Sequence, residues 1–217
     1  LKNTKLAEQL RLYAVSDSRW TGEQSLLQQI ECALKGGITM LQLREKEMAE
    51  ADFLAEALAV QQLTQAYKVP LIINDNLAVA CQCEAVGLHI GQDDCNINQA
   101  RATLGPARIL GVSAQTVEQA LAAEAAGADY LGVGAVFATN TKDDAQIVSQ
   151  ETLQSICKAV NIPVVAIGGI TEYNLPTLLN SGIAGVALVS AIFAQADITA
   201  ACKSLLKILD LKKFDVN

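Results

Sequence analysis

Aromatic side chains make up only 4% of this sequence, with one tryptophan and one histidine among 217 residues. A core short of large rings must be filled by Ala, Leu, Val, Ile and Gly, and 51% of the residues are hydrophobic. That supply suits parallel strands buried on both faces. The single histidine, His89, leaves no Ser/His/Asp triad and no zinc site. It falls inside an apolar stretch and reads as a packed, hydrogen-bonded core residue. An excess of positive charge is also missing, since the net charge is −7 and the isoelectric point about 4.7. A nucleic-acid partner calls for the opposite balance. A small phosphorylated ligand does not, because a few concentrated cations or a metal can hold it. No C-x-x-C pair occurs among Cys32, Cys81, Cys83, Cys95, Cys157 and Cys202. Free thiols in a reducing cytoplasm are therefore expected. There is no basic-then-apolar leader pattern. The longest apolar run, Gly182 to Ala194, is too short to span a bilayer, so no membrane partner is expected. The composition leaves a homo-oligomer open.

Linkers and low-complexity segments are absent, and residues 1–217 read as one domain. What recurs is a glycine followed by a buried aliphatic run, at Gly37–Leu43, Gly127–Val133 and Gly182–Leu188. Each copy follows an Ala/Leu-rich helical stretch. A left-handed glycine closing a helix and leading into a strand explains the pattern. On this frame eight strands are predicted, at Arg11–Val15, Met40–Arg44, Leu71–Asn74, Gly87–Ile90, Ile109–Ser113, Tyr130–Gly134, Val164–Gly168 and Gly185–Val189. Helical periodicity fills most gaps, as at Ala51–Tyr67 and Thr116–Ala126, and Ile198–Leu211 is the closing helix. Pro70 and Pro163 stand just before the third and seventh strands, where no ladder donor is needed. Eight such units predict an α/β fold, a closed (βα)8 TIM barrel. An open nucleotide-binding sheet would show a Gly-rich first turn, and Val15-Ser16-Asp17-Ser18 is not one.

The unusual polar residues fall at the carboxyl ends of successive strands, the rim where such barrels carry chemistry. Strand two runs into Gln42-Leu43-Arg44-Glu45-Lys46, and alternation puts Gln42, Arg44 and Lys46 on one side. Two cations in one place suit a diphosphate. Asp75 and Asp94 follow adjacent strands, within reach of one hard cation such as Mg²⁺. Each also precedes a helix and could serve only as its N-cap, and spacing does not separate Asp94 from Asp93. Gly168-Gly169 and Val189-Ser190 follow strands seven and eight, the recurrent backbone phosphate site of these barrels. The long loop after strand six carries Thr139-Asn140-Thr141-Lys142, with Lys142 a candidate anion clamp.

In order and spacing, QLREK (Gln42–Lys46), IND (Ile73–Asp75), GLHIGQDD (Gly87–Asp94), GVSA (Gly111–Ala114), FATNTK (Phe137–Lys142), IGGI (Ile167–Ile170) and Val189-Ser190 resemble the thiamine phosphate synthase family. The resemblance runs along nearly the whole chain. It implies that hydroxymethylpyrimidine diphosphate and a thiazole phosphate are joined, releasing diphosphate. It further implies that Gln42, Leu43, Arg44, Glu45, Lys46 and Asn74 bind the pyrimidine diphosphate, with Ser113 on the pyrimidine and Lys142 on the diphosphate. Mg²⁺ would sit on Asp75 and Asp94. Thr139, Thr141, Gly169, Val189 and Ser190 would line the thiazole phosphate side, and Asn140 would also bind substrate. Arg44, Lys46, Ser113 and Lys142 are the residues expected to act on the reacting groups. The chain departs from the family pattern at Val86, Gln115, Ala138 and Ser149. Two other readings compete. One is a thiazole tautomerase-like enzyme of the same superfamily, which uses a histidine after strand five where this chain has Ser113 and Gln115. The other is a non-catalytic barrel that binds thiazole or thiamine phosphate.

Overall fold

The structure, a computed structural model, describes residues 4–92, 94–139 and 147–211. Eight parallel strands close into a barrel in sequence order: β1 (Leu12–Val15), β2 (Met40–Leu43), β3 (Leu71–Asn74), β4 (Gly87–Ile90), β5 (Ile109–Ala114), β6 (Tyr130–Val133), β7 (Val164–Ile167) and β8 (Gly185–Leu188). Pairing of Leu12 with Val186 joins the last strand to the first. All eight predicted strands are present, and four of them, β2, β6, β7 and β8, end a residue earlier than expected. The shortfall has one cause: Arg44, Gly134, Gly168 and Val189 already belong to the loops that line the rim.

The helices follow the same frame: α1 (Thr4–Gln9), α2 (Leu26–Gly36), α3 (Glu50–Tyr67), α4 (Leu77–Gln82), α5 (Ile97–Leu104), α6 (Val117–Ala125), α7 (Gln150–Ala159), α8 (Leu175–Leu178), α9 (Ser190–Phe193) and α10 (Ile198–Asp210). The recurrent glycines take the left-handed backbone, with φ of +93° at Gly37, +93° at Gly127 and +86° at Gly182. Gly37 caps α2 by donating its N–H to the carbonyls of Ala33 and Leu34. Pro70 and Pro163 contribute only carbonyls, which accept from Leu41 and Leu131 on the neighbouring strands.

Strand alternation divides the apolar residues into two cores. Leu12, Ala14, Leu41, Leu43, Ile73, Leu88, Val112, Leu131, Val186 and Leu188 face the helices and form the larger one. Leu10, Tyr13, Val15, Met40, Ile72, Tyr130, Val165 and Ala187 fill the barrel interior, with Leu6 of α1 packed beneath them. Most interior positions of β4 to β6 are glycine or polar, which leaves room for the two tyrosine rings. A Cβ on Gly111 would lie under 3.0 Å from the Tyr130 ring, so the sequence trades bulk on β5 for bulk on β6. The six cysteines are all free, with Cys83 and Cys202 buried and the rest half-buried. Burial pushes the thiols of Cys157 and Cys202 up to about 12, which makes them inert packing groups. Among the described residues no helix is long and apolar enough to cross a membrane.

Candidate active site

A cavity of about 500 Å³ opens at the carboxyl ends of the strands, within the size range of small-molecule sites. Its wall takes Gln42 from β2 with Arg44 and Lys46 just after it, Asn74 from β3 with Asp75 just after it, and Asp94 after β4. Ser113, Thr139, Gly169, Val189 and Ser190 complete it from later strands. Two members of the expected set are placed elsewhere. Leu43 is fully buried in the outer core, because alternation turns it away from Gln42 and Arg44. Glu45 does not line the cavity, and its Oε2 accepts from the Ser18 hydroxyl. Asn140, Thr141 and Lys142 lie outside the described residues, as does Asp93.

The two carboxylates do not cap helices. The N-cap of α4 is Asn76, whose side chain accepts from the Val79 N–H, and that of α5 is Asn96. Asp75 has φ +60°, a left-handed backbone that Asp tolerates better than most residues. Its N–H donates to the His89 carbonyl at 2.8 Å, which holds the side chain at the rim. Asp75 Oδ2 accepts from Lys46 Nζ at 2.9 Å. Burial pushes the Asp75 carboxyl up, the Asp94 carboxylate beside it pushes further, and Lys46 offsets part of both. Asp94 in turn accepts from the Gly91 N–H at 2.6 Å. Among the described residues no group of three or more His, Cys, Asp or Glu is placed to hold a metal. A hard cation that keeps waters and phosphate oxygens needs only one or two carboxylates, and two mutually repelling ones are relieved by it.

Arg44 is fixed from a loop that the sequence reading passed over. Ser16, fully buried after β1, accepts from the Arg44 N–H through its hydroxyl at 2.9 Å. Asp17 is 3% exposed and chelates Arg19 through hydrogen bonds of 2.7–3.2 Å. Arg44 Nη1 lies 3.5 Å from the same carboxylate. Burial draws Asp17 upward, but the Arg19 bonds and the charges of Arg19 and Arg44 outweigh it and hold the carboxyl below its ordinary range.

On the opposite wall, Gly168 and Gly169 have φ of +97° and +65°. A Cβ on Gly169 would run into the Ala138 and Phe137 carbonyls, so the β7 loop lies directly on the β6 loop. Asn174 Nδ2 donates to the Gly169 carbonyl at 2.9 Å and holds the turn. Val189, with φ −108° and ψ −85°, starts α9 and sets Ser190 at the rim. Three of the family departures are accommodated locally. Ser149 caps α7 by accepting from the Thr152 N–H. Gln115 donates to the Gly134 carbonyl at 3.3 Å, and Val86 is 44% exposed.

His89 packs as expected, yet it also lines the cavity. Its Nδ1 is 2.9 Å from Tyr130 Oη and its Nε2 is 3.1 Å from Ser113 Oγ. Burial pushes the imidazole down to about 4, with Asp94 pulling weakly the other way, so the ring is neutral at physiological pH. Burial pushes both the Tyr13 and Tyr130 phenols up. The sequence reading missed Tyr13, Tyr130 and Gln92 at this site. Gln92 donates to the Ser113 carbonyl at 2.5 Å.

The thiamine monophosphate synthase family model matches residues 12–192, from β1 to α9. The chain belongs to this family. It is 48% identical over 200 residues to thiamine-phosphate synthase 2 of Streptococcus pneumoniae, covering 92% of this chain and 95% of that one. The thiamine-phosphate synthase of Clostridium acetobutylicum is 48% identical over 188 residues, 87% of this chain and 89% of its own. The solved structure of thiamine phosphate pyrophosphorylase from Pyrococcus furiosus superposes with a TM-score of 0.88 at 35% identity, over 95% of this chain and 98% of that one. As a member of the thiamine monophosphate synthase family the chain is a transferase of thiamine biosynthesis, a thiamine-phosphate synthase.

Proposed function

We propose that the cavity binds both phosphorylated halves of thiamine phosphate at once and joins them by displacing diphosphate. One observation carries this reading: a single cavity has a charged wall at Arg44, Lys46, Asp75 and Asp94 and a glycine-turn wall at Gly169, Val189 and Ser190. The first suits a diphosphate and the second a monophosphate held by backbone N–H groups.

In the proposed reaction, the carbon–oxygen bond of the pyrimidine diphosphate breaks and its electron pair leaves with the diphosphate. Arg44 and Lys46 stabilise that developing charge. Lys142, outside the described residues, is proposed to bind the same diphosphate. The 4-amino group of the pyrimidine supports the positive charge left on the methylene. The lone pair of the thiazole nitrogen then forms the new carbon–nitrogen bond. That nitrogen carries no proton, so no general base is needed, in keeping with the lowered basicity of His89. Gln42, Asn74 and Ser113 are proposed to hold the pyrimidine. Thr139, Asn140, Thr141, Gly169, Val189 and Ser190 are proposed to hold the thiazole phosphate. Alignment of the two partners is the barrel's main contribution.

Mg²⁺ is the proposed metal, and Asp75 and Asp94 the residues that would hold it. When bound it supplies positive charge to the leaving diphosphate. Asp75→Asn is the informative variant, since Asn keeps the shape and tolerates φ +60°. With both substrates and Mg²⁺ present, diphosphate release should fall at least about 100-fold, the order of one electrostatic stabiliser. The melting temperature should hold within about 2 °C. Full turnover in the variant would remove the metal assignment. Absence of diphosphate release by the unaltered protein would remove the reaction. We further propose that the protein works in the cytoplasm on small-molecule substrates, with no nucleic-acid or membrane partner.

A further inference from the structure

Five polar side chains cross the barrel interior in one unbroken line. Gln42 Nε2 donates to Tyr13 Oη at 2.7 Å, and Tyr13 Oη meets Tyr130 Oη at 2.8 Å. Tyr130 Oη meets His89 Nδ1 at 2.9 Å, and His89 Nε2 meets Ser113 Oγ at 3.1 Å. All but Ser113 are buried, and both ends line the cavity. Each hydroxyl has one hydrogen to give, and a neutral imidazole carries one proton on one nitrogen. The first bond therefore dictates the others. Tyr13 accepts from Gln42 and must donate to Tyr130, and Tyr130 must donate to His89 Nδ1. The imidazole proton is then on Nε2 and is donated to Ser113 Oγ. The Ser113 hydrogen is left for the cavity, and so is the Gln42 carbonyl oxygen. A mixed arrangement would set two donors or two lone pairs against each other in the interior, at a cost of about 1–3 kcal/mol.

We propose that this chain is a polarity relay: Tyr13, Tyr130 and His89 are positioning residues that make Gln42 present an acceptor and Ser113 a donor to the pyrimidine. A 4-aminopyrimidine offers the complement, an N–H donor next to a ring-nitrogen acceptor. A 4-oxopyrimidine offers the reverse and is rejected. This assignment rests on the reading that the pyrimidine lies between Gln42 and Ser113.

The one histidine of the chain makes the relay visible in long-range nitrogen–proton NMR spectra of the substrate-free, ¹⁵N-labelled protein. At neutral pH His89 should be the Nε2–H tautomer. Gln42→Glu, recorded at alkaline pH where the new carboxylate can only accept, should reverse every bond and convert His89 to the Nδ1–H tautomer. In a Tyr13→Phe background the same change should leave the tautomer where Tyr13→Phe alone puts it. A packing role for the tyrosines predicts neither the inversion nor its loss. An Nδ1–H or mixed tautomer in the unaltered protein would overturn the relay. So would an unmoved tautomer in Gln42→Glu, or an inversion that persists without the Tyr13 hydroxyl. Adding the pyrimidine diphosphate tests the underlying reading separately. If it leaves the His89 signals unmoved while the inversion still occurs, the relay stands and the pyrimidine lies elsewhere. Where the pyrimidine does lie between Gln42 and Ser113, the 4-oxo analogue of the diphosphate should bind at least about 100-fold more weakly than the 4-amino form, since both end contacts are mismatched. Equal affinity would overturn the presented polarity.

Discussion

Gly111→Ala tests whether the interior is built around the Tyr130 ring. The new methyl would lie under 3.0 Å from ring atoms of Tyr130, including its hydroxyl oxygen. Tyr130 has no exposed surface, so the ring has no solvent to retreat into. Overpacking of this kind costs about 1–3 kcal/mol. In a domain of this size that is a drop of roughly 2–4 °C in melting temperature for each kcal/mol. Tyr130→Ala alone should cost about 3–5 kcal/mol as a large-to-small change. With the ring gone, Gly111→Ala should be neutral, or stabilising by about 0.5 kcal/mol through the stiffer unfolded chain. Urea midpoints of both single variants and the double variant give the coupling, expected at about 1–3 kcal/mol. Equal costs in the two backgrounds would refute the account. Displacement of the ring should also separate Tyr130 Oη from His89, so the His89 tautomer should become mixed in Gly111→Ala.

Asp17→Asn removes the carboxylate behind Arg44, and KM for the pyrimidine diphosphate should rise roughly tenfold, about 1.4 kcal/mol, with thiazole phosphate affinity unchanged. An equal loss for both substrates would mean that Asp17 supports the barrel rather than Arg44. His89 gives a pH signature. Its folded value is lowered from 6.5 to about 4, so the unfolded chain takes up a proton that the folded chain refuses. Its contribution to stability is therefore complete above about pH 6.5 and is lost as pH falls towards 4. At 1.36 kcal/mol per pK unit the loss is about 3 kcal/mol. His89→Gln should flatten that decline in urea midpoint, and parallel curves for the two proteins would count against a buried neutral ring.

The barrel was legible because its determinants are local. Glycine closing a helix, then an aliphatic run, then a polar rim residue repeats along the chain, and each part acts within a few positions. The charged wall was legible for the same reason, since Gln42, Arg44 and Lys46 alternate along one strand and its extension. Alternation also spoke against Leu43, which the family resemblance carried in with its neighbours and which the structure buries in the outer core. Tyr13 and Tyr130 were not legible. Each looks like an ordinary core aromatic, and they meet across 117 positions of sequence. Asp17 was passed over because a loop carboxylate reads as solvated until the fold buries it against Arg19 and Arg44. The competing N-cap reading of Asp75 and Asp94 fell to one register detail: Asn76 and Asn96 already occupy the caps.

With Asp75 as the proposed metal ligand and Lys46 as a proposed diphosphate ligand, the ion pair between them would couple the two charged ligands of the site. A cation that takes Asp75 sets Lys46 free, and a diphosphate that takes Lys46 sets Asp75 free. Whichever arrives first must break the pair, and the second finds its seat already cleared. Affinity for each is therefore raised by the other, by the same factor in both directions. Free metal and free pyrimidine diphosphate should each bind weakly, and the two together tightly, so the charged wall takes its ligands as a set.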